Sequence, residues 1–203
     1  QALISPFVGR LSDRYGRKPF IITGLCVYFI AALGYLTAQT FYQVKFLSTS
    51  FGVVAGDANS ILMTTNGGVT WSLVTGPAGQ AAEAILALAV VTERRWFIGY
   101  TDNTLWYTED AGVTWARRDF PNSVGGWAVR SIAFANEMVG MMLNDSAASV
   151  GAILRTIDGG YSWDTVSTPA NAGLNAIHVF DPNLAVAVGN VSGTTAVVVA
   201  VTE

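Results

Sequence analysis

The sequence predicts an all-β fold: a partial β-propeller of four blades, the last incomplete, preceded by one hydrophobic helix. Three observations carry this. An eight-residue turn occurs three times, as TTNGGVTW at Thr64–Trp71, TEDAGVTW at Thr108–Trp115 and TIDGGYSW at Thr156–Trp163. Successive copies start 44 and 48 residues apart, a period that marks solenoids, propellers or arrays. Between the copies lie short β-rich runs with almost no helical periodicity.

Residue choice within the turn has a physical reading. The first position is a hydroxyl residue, Thr64, Thr108 or Thr156. Asn66, Asp110 and Asp158 at the third can bond backbone N–H groups two residues on. Gly68, Gly112 and Gly160 at the fifth supply a positive φ. Thr70, Thr114 and Ser162 at the seventh can bond across the turn. Trp71, Trp115 and Trp163 then bury a large ring where the next strand starts. These turns resemble the Asp-box, or bacterial neuraminidase, repeats of β-propellers, and the wording around them is most similar to the photosystem II assembly and stability factor group. The resemblance implies a structural role for the boxes, at the outer edge of each blade. It does not imply one activity, because sialidases, sorting receptors, assembly factors and phage proteins share the motif.

Sliding the repeats over one another places the blades at about 42–76, 84–121, 127–169 and 174–203. The alternation Val44/Phe46 meets Ile132/Phe134 and Ile177/Val179, as half-buried strands require. Expected strands are 42–47, 51–55, 60–64 and 70–74, then 85–91, 96–100, 104–108 and 114–119. The third blade takes 128–134, 138–143, 151–156 and 162–167, and the fourth 174–180, 184–188 and 196–202. Thr202 falls at box spacing from Thr156, so the fourth box would start there. Four blades without a closing strand leave open sheet edges, and missing blades or a second copy are needed to close the propeller.

Residues 1–41 fall outside the repeat. Gly9, Asp13, Arg14, Gly16, Arg17 and Lys18 lie in GRLSDRYGRKP, which resembles the loop between the second and third helices of major facilitator transporters. In that family the Asp and Arg residues pair between helices. No charged residue occurs from Pro19 to Val44, so residues 19–40 read as a transmembrane helix held at its start by Arg17 and Lys18. One helix cannot enclose a transport site. A membrane anchor, a signal sequence and an accidental join of unrelated coding sequence all remain open. The first two place the propeller outside the cytoplasm or anchored to a membrane.

Composition narrows the function. The chain is 51% hydrophobic and 12% charged. After Lys45, six Arg face thirteen Asp and Glu, an acidic balance that argues against nucleic acid. Cys26 and His178 are each alone in their type, so neither a disulfide framework nor a metal cluster is expected, and no cofactor is implied. A sialidase would need an arginine cluster, a Tyr nucleophile with a Glu partner, and an acid–base Asp. Arg130 alone is well placed to face the centre. Trp106 and Tyr107 are neighbours on one strand, so one should face outward as a contact candidate. The loops Asp145–Gly151 and Gly189–Thr195 share one face and could carry binding. The reading is a non-catalytic binding or assembly scaffold with a protein partner. The alternatives are a glycan-binding or sialidase-like propeller, and a transporter fragment joined to a propeller.

Overall fold

The structure, a computed structural model, describes residues 40–121, 127–146, 151–167, 172–191 and 194–202. The chain divides into two units, Gln1–Ala38 and Gln39–Glu203, and every described strand belongs to the second. Blade one comprises β1 (Phe41–Phe46), β2 (Gly52–Gly56), β3 (Ile61–Thr64) and β4 (Ser72–Val74). Blade two comprises β5 (Ile85–Val90), β6 (Trp96–Tyr100), β7 (Leu105–Thr108) and β8 (Ala116–Arg118). Blade three comprises β9 (Trp127–Phe134), β10 (Gly140–Ser146), β11 (Gly151–Thr156) and β12 (Asp164–Ser167). Blade four has β13 (Ala172–Asp181), β14 (Leu184–Val191) and β15 (Thr194–Thr202). Each sheet is an antiparallel meander in sequence order. Adjacent blades meet through their first strands, β1 with β5, β5 with β9 and β9 with β13. The first strands therefore lie nearest the axis and the fourth at the rim.

Each blade buries both faces when it has two neighbours. Trp96, Ile98 and Leu88 of blade two pack with Val53, Ala55 and Phe51 of blade one. On the opposite face of the same sheet, Phe97 and Ala89 pack with Ile132, Met142 and Leu154 of blade three. Alternation along β6 therefore divides its side chains between two cores. This explains a sheet whose central strand is buried at every residue, Trp96–Tyr100.

Two expectations are corrected. The membrane helix placed over residues 19–40 is not supported: no helix among the described residues is long and apolar enough to cross a membrane. All of that stretch except Thr40 lies outside the described residues, and the Thr40 carbonyl accepts a 2.8 Å bond from the Asp57 N–H, leading straight into β1. The charge-free run thus ends inside a strand. The transporter-like residues Gly9, Asp13, Arg14, Gly16, Arg17 and Lys18 also lie outside the described residues.

The second correction concerns blade four. In the first three blades the box hydroxyl pairs with the head of the second strand: Gly52 with Thr64, Trp96 with Thr108 and Gly140 with Thr156. In blade four, Ala185 packs towards blade three and pairs with Val201, while Thr202 pairs with Leu184. Thr202 is one residue out of step with the other box starts.

Candidate functional site

The inner strands carry a repeated irregularity. The ladder between first and second strands skips one residue in every blade, between Phe41 and Gln43, Ile85 and Ala87, Val129 and Ser131, and Leu174 and Ala176. The skipped residues are Tyr42, Leu86, Arg130 and Asn175. A bulge leaves its extra residue out of the ladder and re-aims the side chain. Arg130, the arginine that the sequence placed towards the centre, is thus one of four bulge residues on successive inner strands. The Tyr42 hydroxyl donates to Asp57 Oδ1 at 2.8 Å, and that bond, with smaller contributions from burial and the aspartate charge, raises the phenol above its ordinary range.

Further along the same strands lies a pocket of about 190 Å³. Lys45 of β1, Ala89 and Val90 of β5, Ile132–Phe134 of β9, and His178 and Val179 of β13 line it. Four blades contribute to one concavity, as a central funnel requires. Lys45 and His178 supply its polar character, and among the described residues no hydrogen bond or ion pair engages the Lys45 ammonium. Sequence reasoning passed over Lys45 because nothing local distinguishes it; the Ala89 and Ala133 that align with it are small and apolar.

Trp106 and Tyr107 do face opposite sides of β7, but neither points to open solvent. Trp106 packs into the core shared with blade one and donates from Nε1 to Thr104 Oγ1 at 3.2 Å. Tyr107 packs towards blade three, stacked on Phe97 with centroids 6.0 Å apart. The Arg118 guanidinium lies 4.2 Å from the Tyr107 ring centroid and 5.1 Å from that of Tyr161 in the third box. Tyr161 in turn donates to Glu109 Oε1 at 2.5 Å. These groups join blades two and three at the rim. The expectation of one outward ring fails because both faces of an inner blade are covered. The loops Asp145–Gly151 and Gly189–Thr195 fall partly outside the described residues.

The three boxes share one geometry at the rim. Thr64, Thr108 and Thr156 each donate to the third-position side chain at 3.0, 2.8 and 2.7 Å. Each of these hydroxyls also accepts from the fifth-position glycine N–H, at 2.9, 2.9 and 2.8 Å. The third-position oxygen accepts from the seventh-position N–H, four residues on, at 2.9, 2.8 and 2.9 Å. The reach is therefore four residues rather than the two expected, and the two-residue step belongs to the threonine hydroxyl instead.

The glycines have positive φ as predicted, and so does the fourth position: Gly67, Ala111 and Gly159. Their N–H groups bond the Ser50, Arg94 and Met138 carbonyls, pinning each box to the first turn of its own blade. Of the box tryptophans, Trp163 is buried at 3% exposure while Trp71 and Trp115 are half-buried. Among the described residues no group of three His, Cys, Asp or Glu side chains gathers at a potential metal site.

Comparison with known proteins agrees with this geometry. A structure of YCF48 bound to D1 peptide is 20% identical, with a TM-score of 0.58, covering 77% of this chain and 52% of that one. YCF48 from Cyanidioschyzon merolae is 15% identical with a TM-score of 0.62, covering 81% and 51%. The chain therefore spans about half the length of these structures, and at such identity the likeness speaks for the fold alone. A separate similarity, 43% identity over 56 residues, relates 28% of the chain to 13% of the inner membrane transport protein YdiM of Escherichia coli strain K12. The family described as photosynthesis system II assembly factor YCF48 matches residues 31–192, most of the chain, and the protein belongs to that family.

Proposed function

We propose that this chain is a non-catalytic, protein-binding assembly scaffold whose contact surface is the inner wall of the propeller. The carrying observation is the bulge repeated in all four first strands, which takes Tyr42, Leu86, Arg130 and Asn175 out of the ladder at equivalent points. Lys45 and His178 add polar groups to the funnel beyond them. A rigid sheet carrying varied side chains at equivalent points suits recognition of an extended partner. One related structure holds a bound peptide, and family membership extends that behaviour to this chain as part of the proposal. An extracytoplasmic address belongs to the same proposal and rests on the family.

A peptide array probed with the full chain tests the reading. Bound peptides are expected, with affinity falling about ten-fold in Arg130→Ala or Lys45→Ala, a loss of the size found at interface anchors. Turnover of a fluorogenic sialoside, abolished by Arg130→Ala, would replace this reading with a glycosidase. Selective retention on a glycan array with no peptide bound would replace it with a lectin.

A further inference from the structure

The first box differs from the other two in its covalent chemistry. Its third and fourth positions are Asn66 and Gly67, the single Asn–Gly pair in the sequence. The second box has Asp110 and Ala111 there, and the third Asp158 and Gly159. An asparagine followed by glycine is open to attack by its own chain. The glycine backbone nitrogen, unhindered by a side chain, bonds to the asparagine Cγ and expels the side-chain nitrogen as ammonia. Water then opens the resulting succinimide ring. Cleavage of its Cγ–N bond leaves aspartate. Cleavage at the main-chain carbonyl leaves isoaspartate, with the chain routed through Cγ. The sum is asparagine plus water to aspartate or isoaspartate plus ammonia, with no change of oxidation state.

Asn66 and Gly67 are both exposed, so water reaches them, but the box engages the atoms the reaction needs. The Gly67 N–H, the nucleophile, donates to the Ser50 carbonyl at 2.7 Å. The leaving nitrogen, Asn66 Nδ2, donates to Thr70 Oγ1 at 2.8 Å. Asn66 Oδ1 accepts from the Thr64 hydroxyl at 3.0 Å and from the Thr70 N–H at 2.9 Å. Ring closure must bring the Gly67 nitrogen onto Asn66 Cγ, which breaks the bond to Ser50 and swings the carboxamide off Thr64 and Thr70. We propose that Asn66 is a deamidation site gated by its own box, shut while the box is formed and converted when the rim of blade one opens. The two products then have opposite fates. Aspartate is the residue that the other boxes use, where the Thr114 and Ser162 hydroxyls donate to Asp110 Oδ2 and Asp158 Oδ2 at 2.6 Å. With aspartate at position 66, the Thr70 hydroxyl turns from acceptor to donor and the box closes again. Isoaspartate lengthens the main chain by one carbon between Thr64 and Gly68, whose N–H bonds the Thr64 hydroxyl at 2.9 Å. That box does not re-form, so the modification leaves a covalent record of opening.

Peptide mass spectrometry of the full chain, aged at mildly alkaline pH both folded and in urea, tests this. Conversion at Asn66 should be at least about ten-fold slower in the folded chain, because only the opened fraction reacts. Thr70→Ala removes the partner of Nδ2 at an exposed position. It should speed conversion in the folded chain by about five-fold and leave the rate in urea unchanged. Asn66→Asp supplies the aspartate product directly and should unfold in urea no earlier than the parent at neutral pH. Chains carrying isoaspartate, separated by chromatography, should exchange the Gly67, Gly68 and Thr70 amides faster than the parent or Asn66→Asp. Equal rates in the folded chain and in urea, or no conversion in urea, would overturn the proposal. So would a Thr70→Ala rate equal to that of the parent, early unfolding of Asn66→Asp, or parent-like exchange in the isoaspartate form.

Discussion

Gly112 of the second box lies so close to Val74 of the preceding blade that a Cβ added to it would fall 2.4 Å from Val74 Cγ1. The same glycine has a φ of 83°. Gly112→Ala therefore combines left-handed backbone strain of about 1–2 kcal/mol with an overpacking cost of about 1–3 kcal/mol. A loss of about 3 kcal/mol in urea unfolding is expected. Gly79 is the control, with a φ of 86° and nothing within 4 Å of an added Cβ. Gly79→Ala should cost only the backbone part, about 1 kcal/mol. Equal losses at the two sites would show that the contact with Val74 carries no weight.

Ala111 occupies the position that Gly67 and Gly159 fill in the other boxes, at a φ of 61°. An L-residue with a side chain is strained there, and glycine is not. Ala111→Gly should raise stability by about 1 kcal/mol after the entropy cost of a more flexible unfolded chain. The midpoint of urea unfolding would move up; an unchanged or lower midpoint contradicts the assignment of strain.

The box aspartates predict an acid limb. Asp110 is held down to about 2, first by the Thr114 hydroxyl, then by the Thr114 N–H and the Thr108 hydroxyl. For Asp158 burial pushes upward, but bonds from Ser162 and Thr156 outweigh it and hold the carboxyl at about 2. Both values lie below the unfolded reference of about 3.9. Their contribution is therefore fully present above about pH 4 and is lost as pH falls towards 2. Asp110→Asn removes one titrating group and can copy the first box, where Asn66 Nδ2 donates to Thr70 Oγ1 at 2.8 Å. Stability of this variant, measured by urea unfolding across that window, should fall less steeply than that of the parent.

Asn144 is fully buried on β10, and neither its Oδ1 nor its Nδ2 has a hydrogen-bond partner among the described residues. An unpaired buried amide costs about 1–3 kcal/mol, and an apolar group of similar shape removes that cost. Asn144→Leu should raise the thermal midpoint, with a gain of about 1 kcal/mol. A lower midpoint would mean that the amide is satisfied in solution.

The boundary near residue 41 is a proposal with its own test. A chain starting at Tyr42 should keep the β circular dichroism of the parent and gain solubility. Loss of that spectrum would assign residues 1–41 a part in forming the blades.

The rim of this fold is more legible in the sequence than its axis. Box chemistry is local: Thr108, Asp110, Gly112 and Thr114 bond one another, so their types survive in the text as a motif. Strand alternation at Val44/Phe46 and Ile132/Phe134 likewise exposes the blades. The bulges at Tyr42, Leu86, Arg130 and Asn175 leave no such mark. Each adds a single residue, shifts the alternation once, and places unlike side chains at like positions. The fate of Tyr107 also depends on Arg118 and Tyr161, one strand and one blade away. Ala111 conceals its positive φ by being an alanine. The charge-free run after Lys18 misled because hydropathy does not distinguish the end of an apolar helix from the start of a strand such as Phe41–Phe46.

Among the described residues blades one and four each pack on one neighbouring blade, and blades two and three on two, which gives the array a direction of fraying. In a linear array each unit is stabilised mainly by its nearest neighbours, so a unit with one neighbour opens before a unit with two. Amide hydrogen exchange should follow position along the array. The N–H groups of β6, β7 and β10, held between two cores, would exchange slowest, and those of β1 and β14 fastest. A further neighbour seated on either of these blades would slow exchange there and level that gradient, so the exchange profile reports which blades are covered on both faces.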